Sequence, residues 1–190
     1  MKIILLNGPP RAGKDAIGSM LEMGLNRSRR FKFAQPIIDY LREVFGIHME
    51  TVPKDLPHPA LHGRTPREVA IAYSERLCKP LFGQDYFGRE AVAAVKQAKI
   101  DCSADVAIFT DSGFSVESQP LVSVFGADNV LLIRVHRLGK NFDGDSRSFW
   151  QPFHPLMREL DFENDQKTLR ELTIKVQSDL IPEIKERLHL

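Results

Sequence analysis

The run Gly8-Pro9-Pro10-Arg11-Ala12-Gly13-Lys14-Asp15 constrains this chain more than any other part of it. It follows an apolar segment, Ile3-Ile4-Leu5-Leu6, and leads into a helix-like stretch from Asp15 to Leu25. Strand, glycine-bounded loop and helix in that order form the frame of a phosphate-binding P-loop. In such a loop successive backbone N–H groups turn inward and the helix N-terminus adds partial positive charge, so a polyphosphate is held largely by main chain. The spacing assigns that role to the backbone of Arg11, Ala12, Gly13, Lys14, Asp15 and Ala16, with the Lys14 ammonium reaching the outer phosphates. Gly8 and Gly13 are required where a side chain would meet the phosphates or forbid the backbone angles. One position departs from the pattern: residue 15 is Asp where a Ser or Thr hydroxyl usually ligates Mg²⁺. The alternative is a plain Gly-Pro-Pro turn before a solvated Lys14-Asp15. The agreement of strand, spacing, lysine and helix stands against it.

Composition narrows the class without naming a chemistry. A chain of 190 residues is most simply one domain with a substantial core. With 26 Lys and Arg against 25 Asp and Glu, a net charge of +1 gives no reason to expect stable nucleic-acid binding. No apolar stretch approaches the roughly 20 residues that span a bilayer, and one lysine before a core strand is not a signal peptide. Cys78 and Cys102 stand apart from any His/Cys cluster and read as free thiols of a reducing compartment. The expectation is a cytoplasmic protein without membrane partners. A homodimer is compatible with the sequence and not specified by it.

Apolar periodicity alternates strands with helices. Phe31 to Ala34 reads as a short strand, and Pro36 to Phe45 as a helix stopped by Gly46. Pro53, Pro57 and Pro59 make residues 47–63 a long loop. Thr65-Pro66-Arg67-Glu68 reads as a capping box with proline at the first helical position. That helix runs to about Leu77, and another covers Tyr86 to Lys99. Val106 to Thr110 is a buried strand ending on Asp111, Val116 to Phe125 a helix, and Val130 to Val135 a strand. Lys167 to Leu188 supplies a last amphipathic helix, bent near Pro182. Apolar strands separated by helices imply a parallel sheet covered on both faces.

In such a sheet, ligands gather at the C-terminal ends of the strands. Asp111 is placed there, suited to hold Mg²⁺ with Asp15, directly or through water, or to orient an attacking group. The segment from Arg134 to Arg158, with His136, Arg137, Lys140 and Arg147, has the character of a basic flap. Arginines on such a flap stabilise charge in phosphoryl transfer while excluding water. Arg137 and Arg147 are the candidates. Arg67 could clamp an acceptor phosphate or could be an exposed helix residue, and the sequence leaves the two comparable.

Taken together, these motifs resemble the bacteriophage-type deoxynucleoside monophosphate kinases, a branch of the P-loop nucleotide kinases. That family's P-loop also tends to end Gly-Lys-Asp, as Gly13-Lys14-Asp15 does. Phe33 to Leu41 resembles its Ala-Gly-Pro-hydrophobic-Lys-Asp stretch, with Asp39 matching and Ile38 in place of lysine. Thr65-Pro66-Arg67-Glu68 with Tyr73-Ser74-Glu75 is similar to its arginine-containing helix, and Gly83 to Phe87 to the acidic-aromatic run after it. Asp111, Phe114 and Glu117 match its strand-Asp-x-Arg-Phe-x-x-Glu, but Gly113 stands where the arginine belongs. Phe162-Glu163-Asn164-Asp165 resembles its Ile-x-Asn-Asp, where the nucleotide base is contacted.

The resemblance implies a single α/β P-loop kinase domain over residues 1–190, a three-layer sandwich with a roughly five-stranded parallel sheet. Within it lie a helical acceptor-binding insertion at 36–100 and a lid at 137–158. It implies transfer of the γ-phosphate of ATP, with Mg²⁺, to a (deoxy)nucleoside 5′-monophosphate. Lys14, Asp111, Arg137 and Arg147 would be catalytic. Asn164 would join the ATP site, and Asp39, Arg67, Tyr73, Ser74 and Glu117 would face the acceptor. Two alternatives stay open: a P-loop kinase with another acceptor (a modified nucleoside, a nucleotide in DNA or a small metabolite), and a non-catalytic ATP-binding module.

Overall fold

The computed structural model describes residues 1–190. Its centre is β1 (Lys2–Asn7), whose residues from Ile3 onward are all buried. Alternate side chains feed two separate cores. Ile4 and Leu6 face one cluster with Ile17, Leu21, Ile133, Val176 and Ile184, while Ile3 and Leu5 face another with Phe33, Phe87, Phe109, Leu121 and Leu132. A strand buried on both faces needs this continuous apolar run. Each fully buried Ile or Leu contributes about 1.5–3 kcal/mol.

Four more strands complete the sheet: β2 (Ser28–Phe31), β3 (Val106–Phe109), β4 (Val130–His136) and β5 (Arg158–Glu163). All pairings are parallel, in the order β2-β3-β1-β4-β5. On one face lie α1 (Lys14–Gly24) and the C-terminal helix, made of α7 (Leu169–Lys175), a π-turn at Val176–Leu180 and α8 (Ile181–Leu188). On the other lie α5 (Tyr86–Cys102) and α6 (Ser115–Phe125). This is an α/β three-layer sandwich, as the apolar pattern predicts.

Beside it, α2 (Gln35–Phe45) and α3 (Pro66–Ala72) pack over a small core of Leu41, Ile47 and Leu61, and α4 (Lys79–Phe82) follows α3 in the same lobe. Gly46 ends α2 in the left-handed conformation, φ 67°. Thr65 and Glu68 close the anticipated capping box on α3. The helix does not end at Leu77. It passes through a π-turn at Tyr73–Cys78 into α4.

β5 was not legible in the sequence, and Arg158, read as part of the basic flap, is its first residue. The strand alternates: Leu160 and Phe162 face the α1-side core, while Glu159 and Asp161 meet Arg134 across the β4 register. Arg134 donates to Asp161 at 2.9 and 2.7 Å, to Glu159 at 2.7 Å and to Gln151 at 2.8 Å. It therefore belongs to the sheet and not to the flap.

Candidate active site at the P-loop

β1 ends on Asn7, and the chain turns through residues 8–13 before α1 begins. Gly13 takes φ +97°, a conformation L side chains rarely adopt. A side chain there would also strike the Asn164 amide. No side chain caps α1, and its first intrahelical bond runs from the Ile17 N–H to the Gly13 carbonyl at 2.9 Å. The first-turn amides of Lys14, Asp15 and Ala16 are thus not consumed by the helix and are free for an anion. The Ala12 N–H instead closes the loop on the Pro9 carbonyl at 3.2 Å, and Arg11 is exposed with φ +63°. Gly8 lies against the Val135 carbonyl of β4, so strand packing, and not only phosphate, excludes a side chain there.

Lys14 folds back over the loop and donates to the Gly8 and Pro9 carbonyls at 2.6 and 2.8 Å. Burial and the neighbouring Arg147 lower its pKa to about 8, against Asp15, Asp111 and Asp145, which favour the ammonium. Asp15 accepts a 2.8 Å hydrogen bond from the Thr110 hydroxyl at the end of β3, and Lys32 lies 3.8 Å away. Asp111 accepts the N–H groups of Phe33 and Ala34, both at 3.0 Å, which ties the end of β3 to the start of α2. Burial pushes its carboxyl up, while those two N–H groups and Lys32 oppose the shift.

No group of three or more His, Cys, Asp or Glu side chains converges to cage a metal. Two carboxylates beside a phosphate cradle nevertheless fit Mg²⁺, which is held by one or two carboxylates plus substrate phosphates.

The basic segment after β4 is only partly a flap. Arg137 lies beside Gly13. Residues 138–141 are exposed, but the chain then returns to the core. His136 packs on Phe149 at 4.5 Å between ring centroids, and Phe142 meets Phe149 edge-on at 5.1 Å. Trp150 is buried and donates to the Ser112 carbonyl at 3.3 Å. The buried Asn7 amide donates to the carbonyls of both Ser112 and Ser148, at 2.9 and 3.1 Å. One side chain at the root of the P-loop thus binds the residue after Asp111 and the residue after Arg147. We call this anchored stretch a strap.

The strap also accounts for Gly113. The Arg147 stem lies against this glycine so closely that an added Cβ would overlap it. Where the family pattern has an arginine on the β3 loop, this chain has a glycine with an arginine from the strap laid over it.

On the acceptor side, Arg67 is exposed and paired with Asp55. Arg67 and Arg147 are close enough to oppose one another electrostatically. Tyr73 stacks on Tyr40 at 4.1 Å, and burial pushes its hydroxyl to about 12. Ser74 is buried and donates to Glu75 at 3.0 Å; Lys79 donates to the same carboxylate at 2.6 Å. Lys79 is itself buried, 4.9 Å over the Phe114 ring. Glu117 is buried nearby, and burial, then Asp111, raise its pKa to about 7.

Two anticipated residues sit differently. Asp39 engages Gln35 and Arg42 of its own helix, at 3.0 and 2.8 Å, and no other site residue. Asn164 is buried and donates to the Ala12 carbonyl at 2.7 Å, so it braces the P-loop from below. Asn7, Thr110, Lys79, Asp145 and Trp150 escaped the sequence reading. Asn7 alone carried a usable signal, as the one polar residue closing an apolar strand before the loop.

A surface recess of about 510 Å³ beside Gln151, Phe153 and His154 includes no P-loop residue. No helix is long and apolar enough to cross a membrane.

No protein-family model matches the chain, and no curated protein matches it in sequence. Among solved structures it is similar to a sugar kinase from Janibacter sp., with TM-score 0.48 and 12% identity over 95% of each chain. It is also similar to thymidylate kinase from Candida albicans, with TM-score 0.42 and 13% identity over 98% of this chain and 93% of that one. These likenesses are loose, and the chemistry rests on the site's own residues.

Proposed function

We propose that this chain transfers the γ-phosphoryl group of ATP to the 5′-phosphate of a (deoxy)nucleoside monophosphate, giving the diphosphate. The observation that carries the reading is the pair of cations at the loop, Lys14 over the Gly8 and Pro9 carbonyls and Arg147 laid on Gly113 beside Asp111, with Arg67 of α3 within electrostatic reach of Arg147. Two phosphates brought together repel, and such cations lower that repulsion most where charge spreads over the transferred group. In this reading the amides of residues 14–16 and Lys14 hold the donor, and Arg137 covers the loop. Arg147 spans donor and acceptor. Arg67 and Ser74 orient the acceptor phosphate, with the Tyr40–Tyr73 stack as an apolar wall for its base. Bound Mg²⁺, held by Asp15 and Asp111, would neutralise the β- and γ-phosphates. An acceptor that is already a phosphate anion needs no strong base, so positioning and electrostatics carry the rate.

A second reading is favoured by the half-buried Asp111 and the buried Glu117, both carboxyls with raised pKa values. Such groups suit an acceptor hydroxyl that must lose a proton. ADP release from Mg-ATP with each common ribo- and deoxyribonucleoside monophosphate, and with the parent nucleosides, separates the two. Turnover with monophosphates that falls about 10²–10³-fold in Lys14→Ala supports the first reading. Turnover with nucleosides alone transfers the assignment to the second. Tight ATP binding without acceptor-dependent release would identify a nucleotide-binding module in place of a kinase.

A further inference from the structure

Of the cations near the P-loop, Arg67 is neutralised by Asp55, and Arg147 from within its own segment. Asp145, two residues earlier, takes its guanidinium in a two-pronged pair, Nε to Oδ1 at 2.8 Å and Nη2 to Oδ2 at 2.5 Å. The same carboxylate accepts the Arg147 backbone N–H at 3.0 Å. It is also within electrostatic reach of Lys14 and of Arg67. One half-buried carboxylate is therefore bound to Arg147 and also acts on Lys14 and Arg67. A planar carboxylate and two oxygens of a phosphate present the same forked acceptor to a guanidinium.

We propose that Asp145 is a resident anion, occupying the phosphate subsite of Lys14 and Arg147 until a phosphate-bearing ligand displaces it. The inference rests on the phosphate-binding reading of the site, not on which acceptor is used. Two structural features make the displacement feasible. Gly144, the preceding residue, takes φ +72° with nothing within 4 Å of an added Cβ, so the backbone has room to turn. Beyond Arg147, Asn7 and Trp150 hold the strap, and Gly113 seats the arginine stem. The carboxylate can leave while the guanidinium stays. Asp145 then acts as a threshold: weakly charged anions compete poorly with it, whereas a ligand with two or more negative charges replaces it and gains Arg147 together with Lys14, while Arg67 keeps its pair with Asp55.

The test uses the whole chain and inorganic pyrophosphate without metal, titrated calorimetrically into the parent protein, Asp145→Asn, Arg147→Gln and the double variant. Asp145→Asn is expected to bind about 5- to 20-fold more tightly, and in the Arg147→Gln background the same change should gain less than about twofold. Equal or weaker binding by Asp145→Asn overturns the proposal. So does a full gain that persists without Arg147, because the effect would then be bulk charge. Should Asp145→Asn fold poorly, Asp145→Ser and the thermal shift given by pyrophosphate provide the same comparison. If pyrophosphate binds none of the proteins, the phosphate-binding reading itself fails. If the gain appears but no nucleoside monophosphate turns over, only the acceptor assignment fails.

Discussion

The ammonium of Lys14 is drawn in opposite directions by its neighbours. Burial and Arg147 favour the neutral amine, and Asp15, Asp111 and Asp145 favour the cation, leaving the pKa at about 8. At pH 7 the group is charged, and it loses that charge as pH rises through 8. ATP affinity is therefore expected to fall by about tenfold between pH 7 and 9.5, read as an equilibrium binding constant at fixed ionic strength. A flat profile across that range would show that Lys14 stays charged or does not touch the phosphates. The residue scale is also where sequence reading has the least reach. The spacing of Gly8, Gly13 and Lys14 could be read because one local backbone arrangement demands those residue types. Asp145 could not, since its partners Lys14 and Arg67 are brought to it only by the fold. Gly113 showed itself only as a mismatch, and its reason, the overlying Arg147 stem, lies 34 positions along the chain.

Elements were legible where a local pattern decides them. The capping box at Thr65 and Glu68, the Gly46 stop and the apolar runs Ile3–Leu6 of β1 and Val130–Ile133 of β4 need no distant partner, and each forms as the sequence dictates. β5 could not be read this way. In its sequence, Arg-Glu-Leu-Asp-Phe-Glu, Leu160 and Phe162 do alternate with polar residues, but the run is short and carries four charges, and Arg134 neutralises its outer face. The strap was likewise hidden, because a Gly- and Arg-rich segment gives no sign that Trp150 is buried against Ser112. If the strap is a fixed element, ligands will move residues 138–146 and leave Trp150 in place. Trp150 is the sole tryptophan, so its emission maximum is expected to stay unchanged on saturation with ATP. In Asn7→Ala the maximum should shift to the red, as the carbonyls of Ser112 and Ser148 lose their shared donor. A red shift in the parent protein on ATP binding would mean that the strap opens as a whole.

At the scale of the whole molecule, the sheet gathers ionisable groups into one crevice, and that gathering costs stability. Glu117 is buried beside Asp111, and its pKa is raised from its ordinary value to about 7. A raised carboxyl pKa means that the folded chain holds the proton more tightly than the unfolded one. The contribution is complete below about pH 4.5 and is lost as pH rises through 7. Glu117→Gln should therefore flatten the decline of stability between pH 5 and 8. At pH 8 it should unfold at higher denaturant, by on the order of 2 kcal/mol. A variant that is less stable than the parent at pH 8 would assign Glu117 a structural hydrogen-bonding role. The strand order β2-β3-β1-β4-β5 carries one more consequence, for biosynthesis. β1 is made first, yet its neighbours are β3 and β4, so Ile3, Ile4, Leu5 and Leu6 have no strand to join until Val106 leaves the ribosome. While residues 8–105 are being made, the nascent chain therefore carries this apolar strand unpaired, an interval in which chaperone protection counts.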